Sequence, residues 1–218
     1  MKQAEKYISD KINTIKYGEQ PKTWDVSDEI TINWKAILPL HPANNSDTTK
    51  KELYYLHELT KNRTSSQVDL IKLVDEEPLD LYHAVLKRHG LEMPKDIFDK
   101  AYKLIRPVIM SLKWKYNRPR PYQLAEKYGI DLKVIHTNSA QTPAYPSGHT
   151  CYGALGAYVL ASAYPEHSGD FFGVVSSVGM GRMLQGVHYP SDNEASMVLT
   201  GALWEDIRYR LFPELENF

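Results

Sequence analysis

Two stretches constrain this chain more than any other feature. Residues 151–164 read CYGALGAYVLASAY, and residues 171–187 read FFGVVSSVGMGRMLQGV. Both are apolar on nearly every side, yet neither reaches the ~18–20 residues needed to cross a bilayer. They are rich in Gly, Ala, Ser and Tyr, so their backbones can pack closely, and helices that are apolar all round belong in an interior. They therefore read as buried helices of a soluble protein, and the remaining chain must wrap them. It supplies helical patterning in several places. Asn45, Ser46 and Asp47 offer an N-cap before a stripe of Leu53, Leu56 and Leu59. A second stretch begins near Ser66 with Val68, Ile71 and Val74 on one face and is interrupted by Pro78. A third runs from Leu79 to His89, before Gly90. Residues 95–117 carry Ile97, Phe98, Tyr102, Ile105, Ile109 and Leu112 at helical spacing, with a kink expected at Pro107. A last helix spans about 193–210. Strand-like alternation is scarce, with DLKVIHT at 131–137 the one modest candidate. The fold class that follows is all-α, a helical bundle.

At 218 residues and 25.0 kDa the chain is long enough for one sizeable domain. Residues 1–35 are polar and weakly patterned, an irregular lead-in with short helices, and 36–218 read as a single helical domain. The first twenty residues mix charges and lack the apolar core of a signal peptide. The chain is then cytoplasmic if Met1 is native, and periplasmic if a signal peptide was removed. A net charge of −1 gives no basic field for nucleic acid. The single cysteine, Cys151, excludes an intrachain disulfide and reads as a small core residue.

Three polar patches interrupt this pattern. The first is KWKYNRPRP, 113–121. Arg118 and Arg120 each precede a proline, so the helix should end near Asn117, with Lys113 in its last turn and two guanidiniums on an extended exit. Arginine offers planar, multi-donor recognition of phosphate oxygens. Taken alone, the patch reads first as a solvated basic end complementing a helix C-terminus. The second is YPSGHT, 145–150, a tight loop feeding a helix, with His149 in the first turn where free N–H groups favour an anion. By itself it is equally a helix cap with an incidental histidine. The third is GRMLQGVHYPSD, 181–192. Pro190 suits a first helical turn, so Asp192 could reach back to one nitrogen of His188 and leave the other with its lone pair exposed. An Asp cap contacting a loop histidine explains it as well.

Together the patches say more. Lys113, six residues, Arg120-Pro121; then Pro146-Ser147-Gly148-His149; then Arg182, five residues, His188, three residues, Asp192. In this order and spacing they resemble the three-part signature of the type 2 phosphatidic acid phosphatase superfamily. That superfamily includes bacterial class A acid phosphatases, membrane lipid phosphatases and vanadium-dependent haloperoxidases. The spacing selects Arg120 over Arg118 as the signature arginine. The resemblance covers about residues 36–206, and the segment from Ile37 to Leu56 looks like the proline-rich lead into the first core helix of the soluble acid phosphatases. The signature's third part usually has Ser before its arginine. Gly181 stands there instead, which implies one supporting hydrogen bond fewer around Arg182.

The resemblance implies a soluble, metal-independent phosphatase of phosphate monoesters. Lys113, Arg120, Arg182, the Ser147 hydroxyl and the N–H groups of Gly148 and His149 would neutralise phosphoryl oxygens. His188 would attack phosphorus to give a phosphohistidine. His149 would act as general acid and then base, and Asp192 would orient His188. No cofactor or metal is implied; vanadate is expected as an inhibitor. The alternative is a vanadate-dependent haloperoxidase using the same pocket, although those chains are usually much longer. The partner is a small phosphorylated substrate, with no nucleic acid and no membrane span, and homo-oligomerisation left open. The remaining histidines, 41, 57, 83, 89, 136 and 167, are expected on the surface or in packing.

Overall fold

The small-residue runs lie at the centre of the molecule. In the computed structural model, which describes residues 2–20 and 23–217, helices follow in the order α1 (Lys2–Asn13), α2 (Asp47–Lys61), α3 (Ser65–Glu76), α4 (His83–His89), α5 (Lys95–Tyr116), α6 (Pro121–Lys127), α7 (Gly148–Ala163), α8 (Ser168–Gln185) and α9 (Pro190–Leu211). No strand occurs among the described residues, and the architecture is all-α. No helix is long and apolar enough to cross a membrane among the described residues. The apolar runs are α7 and α8, packed on each other. α7 also packs on α5 and α9, and α8 on α3 and α2. Leu155, Ala157, Val159 and Leu160 of α7 are fully buried, as are Phe171 and Val178 of α8. α5 and α9 add Ile105, Val108, Leu112, Leu199, Leu203 and Trp204 to the same interior.

Helix starts follow their capping residues. Ser46 accepts from the N–H of Thr49 at the start of α2, and Thr64 forms a capping box with Gln67 at the start of α3. Two local expectations change. Residues 79–89 are not one helix: Pro78–Tyr82 is a 3-10 turn, and α4 begins only at His83. The turn swings the fully buried Tyr82 inward, where its hydroxyl donates to the Gly153 carbonyl at 2.9 Å. Residues 131–137 form no strand, because no second strand among the described residues pairs with them. They run past the end of α8, held by Ile135 N–H donating to Gln185 O at 3.0 Å and by Arg63 on Lys133 O. The helix expected over 95–117 is present as α5, with Pro107 inside it. In the lead-in, α1 places Ile12 with Leu53, Leu56, Leu124 and Tyr189.

Gly181 has a packing role. A Cβ there would meet Val74 Cγ2 at 2.8 Å and Val74 Cβ at 3.0 Å. The valine of α3 thus occupies the space that a serine side chain would need, and the missing hydroxyl is replaced by close approach of two helices.

Candidate active site

The three polar patches meet where α5 and α8 end and α7 and α9 begin. α5 closes at Asn117, in the left-handed region at φ 49°, with its N–H on the Lys113 carbonyl. From there Arg118 and Arg120 run extended into Pro121, the first residue of α6. The loop before α7 is stitched to both neighbours. Ala144 N–H donates to Arg118 O at 2.9 Å, and Ser147 N–H donates to Ser196 Oγ at 2.9 Å. α8 closes at Gly186, φ 83°, which leaves a short link carrying His188 before Pro190 opens α9.

His188 and Asp192 are joined as their spacing predicts. His188 Nδ1 lies 3.0 Å from Asp192 Oδ2, and its Nε2 lies 2.7 Å from Arg120 Nη1. Guanidinium can only donate, so Nε2 is an acceptor and the ring proton sits on Nδ1. The lone pair of Nε2 is thereby presented beside Arg120. Asp192 Oδ2 also accepts from Tyr189 N–H at 2.9 Å, and Oδ1 accepts from Arg118 Nη1 at 2.6 Å. Burial pushes the Asp192 carboxyl up, but Arg118, His188 and the Tyr189 N–H outweigh it and hold the group well below the usual carboxylate range. Burial, reinforced by Arg120, keeps the His188 imidazole well below its ordinary value, against the pull of Asp192. His188 is therefore neutral at ordinary pH.

The cations have distinct surroundings. Lys113 Nζ donates to Pro143 O at 2.8 Å, and burial, then Arg120, pulls its ammonium well below the usual range. Arg120 donates to Thr142 O and Val187 O, each at 2.8 Å, and burial followed by Arg182 lowers it to about 10. Arg182 is fully buried and pairs with Asp75 Oδ1 and Ser139 Oγ, while its Nε has no acceptor. His149 Nε2 faces the Asp75 carbonyl at 3.3 Å, and burial with Arg182 pushes its imidazole down to about 3. Ser147 caps α7, its Oγ accepting from Thr150 N–H and lying 2.9 Å from Thr150 Oγ1, whose own hydroxyl proton also has Asn193 Oδ1 as an acceptor at 2.8 Å.

A cavity of about 380 Å³ opens onto this junction. Lys113, Arg120, Gly148, His149 and His188 line it, whereas Ser147, Arg182 and Asp192 stand behind the lining. None of the other histidines lines it; His89 and His167, for example, stack on each other 3.9 Å apart. Cys151 is buried in the core. Three participants escape sequence reasoning. Arg118 is fully buried and bridges Asp192 to Glu52, whose Oε2 is 3.0 Å away. Asp75 gathers Arg182, Thr137 and Ser139 on one carboxylate oxygen. Asp75 did leave a trace: an acidic run, Asp75-Glu76-Glu77, at a helix C-terminus opposes the dipole. Glu52 left none.

An all-helical fold with a buried histidine–carboxylate pair facing lysine and arginine defines an anion-handling helical domain. The profile of the PAP2 superfamily matches residues 101–213, more than half of the chain and including all three patches, and the chain belongs to that family. It is similar to the non-specific acid phosphatase of Salmonella typhimurium, 35% identical over 110 residues, which are 49% of this chain and 42% of that protein. A non-specific acid phosphatase of Providencia stuartii is 33% identical over 100 residues, 43% of this chain and 38% of the relative. That of Salmonella typhi is 32% identical over 107 residues, 49% and 42%. The match spans less than half the length of each of these relatives.

Proposed function

We propose that this chain is a metal-independent phosphomonoesterase that works through a phosphohistidine on His188. The observation carrying this reading is the line Arg118–Asp192–His188, with Nε2 the acceptor atom beside Arg120. Such a line fixes a neutral nucleophile without a separate base. The lone pair of Nε2 forms the N–P bond as the P–O bond to the leaving group breaks. Arg120 turns its N–H from Nε2 to a phosphoryl oxygen, joined by Lys113 and the N–H groups at the start of α7, with the Arg182 charge behind them, so that positive groups meet the charge that develops there. The imidazolium formed at His188 is stabilised by Asp192. The Asp75 carbonyl accepts from His149 Nε2, which leaves Nδ1 as the basic atom of that ring. Nδ1 takes the proton carried by the substrate monoanion and passes it to the departing oxygen, then removes one from the water that attacks phosphorus, breaks the N–P bond and releases phosphate. Non-specific acid phosphatases among the relatives support the same substrate class.

The test is rapid quenching with a phosphate monoester in excess chelator, followed by mass spectrometry of the acid-labile phosphopeptide. Phosphate on His188, and loss of turnover in His188→Ala, are expected. Phosphate on another residue, or activity that chelator abolishes and a divalent ion restores, overturns the mechanism. Vanadate with peroxide and bromide should give no halogenation.

A further inference from the structure

The cavity is larger than a phosphate requires, and its outer half has a chemistry of its own. Resting on the phosphatase reading above, we propose that this outer half is a leaving-group subsite for a planar aromatic ring with an anionic group on its far edge. The ring would sit on Tyr152 and Met110, with its far edge at Arg106.

The argument starts from α5. Tyr102, Arg106, Met110 and Lys113 all line the cavity, at spacings of four, four and three, and so share one helix face. At 1.5 Å per residue, Met110 stands about 5 Å, and Arg106 about 10 Å, along the axis from Lys113. A phosphate held at Lys113 thus directs its ester past Met110 first and Arg106 second. α7 supplies the adjacent wall, with Tyr152 one turn beyond His149. That wall is built before any substrate arrives. Tyr152 meets Tyr102 edge-on at 4.6 Å and Phe98 at 4.9 Å, and Phe98 is fully buried.

The lining favours a π-face over an alkyl chain. Tyrosine rings, a methionine sulfur and a guanidinium each interact better with an aromatic ring than with saturated carbon. Arg106 is exposed, lies over the Trp24 ring at 5.0 Å, and takes part in no ion pair among the described residues. Its charge is therefore steadied without being neutralised. Exposed Glu76 and Glu77 stand on the α3 side of the same cavity, so a distal anion is directed toward Arg106 rather than across the mouth.

The experiment compares kcat/KM for benzyl, cyclohexylmethyl and 4-carboxybenzyl phosphate, whose alcohols are of similar basicity. Wild type should prefer benzyl over cyclohexylmethyl roughly five- to tenfold. That ratio should fall to about one in Tyr152→Leu and be retained in Tyr152→Phe. The advantage of 4-carboxybenzyl over benzyl should vanish in Arg106→Gln. Vanadate inhibition, measured in each variant, reports whether the phosphate cradle is intact. Calorimetric titration of benzylphosphonate against cyclohexylmethylphosphonate reads the same preference without turnover, so a chain that hydrolyses no ester would sink the phosphatase reading while still testing the subsite. A wild-type ratio near one in both assays, or a ratio that survives Tyr152→Leu, overturns the subsite.

Discussion

Asp192 accepts hydrogen bonds from three groups, His188, Tyr189 N–H and Arg118, and each constrains the others. The spacing of His188 and Asp192 across Pro190 made their pairing legible, because a first-turn residue can reach back to the residue before the helix. Lys113, Arg120 and His149 were legible for similar reasons: a helix end, an X-Pro exit and a helix start each fix where a side chain goes. Arg118 shares its motif with Arg120, yet faces the other way, onto Asp192, Glu52 and the Tyr189 ring 3.8 Å away. Residues two apart on an extended segment would share a side, so simple alternation does not account for that opposition, and nothing local shows which arginine faces the cavity. Two outcomes follow. Asp192→Asn should cut kcat about a thousandfold or more, because the amide favours the wrong His188 tautomer. Arg118→Met leaves two carboxylates with an unpaired buried charge and should cost about 3–5 kcal/mol in urea unfolding. The kcat of that variant should fall while vanadate inhibition is largely kept. A variant of near-normal stability would mean that Arg118 is not what holds Asp192.

Helices were legible as elements wherever an apolar stripe and a cap agreed. α2, α3, α5 and α9 all begin or end close to their capping or proline signals. The 3-10 turn at Pro78–Tyr82 was not legible, since its leucines suit helical spacing and only Tyr82's burial against α7 selects the tighter turn. The contact of α3 with α8 was hidden as well, because a glycine does not announce what fills its space. Here Val74 fills it, and β-branched valine has little rotamer freedom in a helix. Gly181→Ser should therefore destabilise the fold by about 1–3 kcal/mol despite serine's better helix propensity. Val74→Ala should relieve much of that loss when combined with it. Strict additivity in the double-mutant cycle would refute the steric account.

Across the whole molecule, the reading of two interior helices wrapped by others held because runs apolar on every side have nowhere else to go in a chain with no membrane-spanning helix among its described residues. The same burial governs pH behaviour. His149 is pushed down to about 3 and His188 well below its ordinary value, so both are neutral in the folded protein where the unfolded chain, near 6.5, begins to bind protons. As pH falls from about 6.5 toward 3 the unfolded state takes up more protons than the native state, and stability must decline. Asp192 and Asp75, both lowered, extend the loss further into acid. A phosphate dianion in the cavity opposes this by favouring the protonated imidazoles. Thermal unfolding should accordingly show Tm falling between pH 7 and 5, and added phosphate raising Tm more at pH 5 than at pH 7. Activity follows a different limb. With His149 neutral in the free enzyme, the proton for the leaving group is most readily brought by the substrate monoanion, whose second pKa lies near 6. An optimum at about pH 5–6.5 then arises from the substrate's ionisation as much as from the protein's. The basic limb of kcat/KM should shift with the second pKa of a series of fluorinated alkyl phosphates. A limb fixed at one pH across that series would assign the proton to His149 in the free enzyme instead, and would require its imidazole to lie far above the value that burial and Arg182 impose.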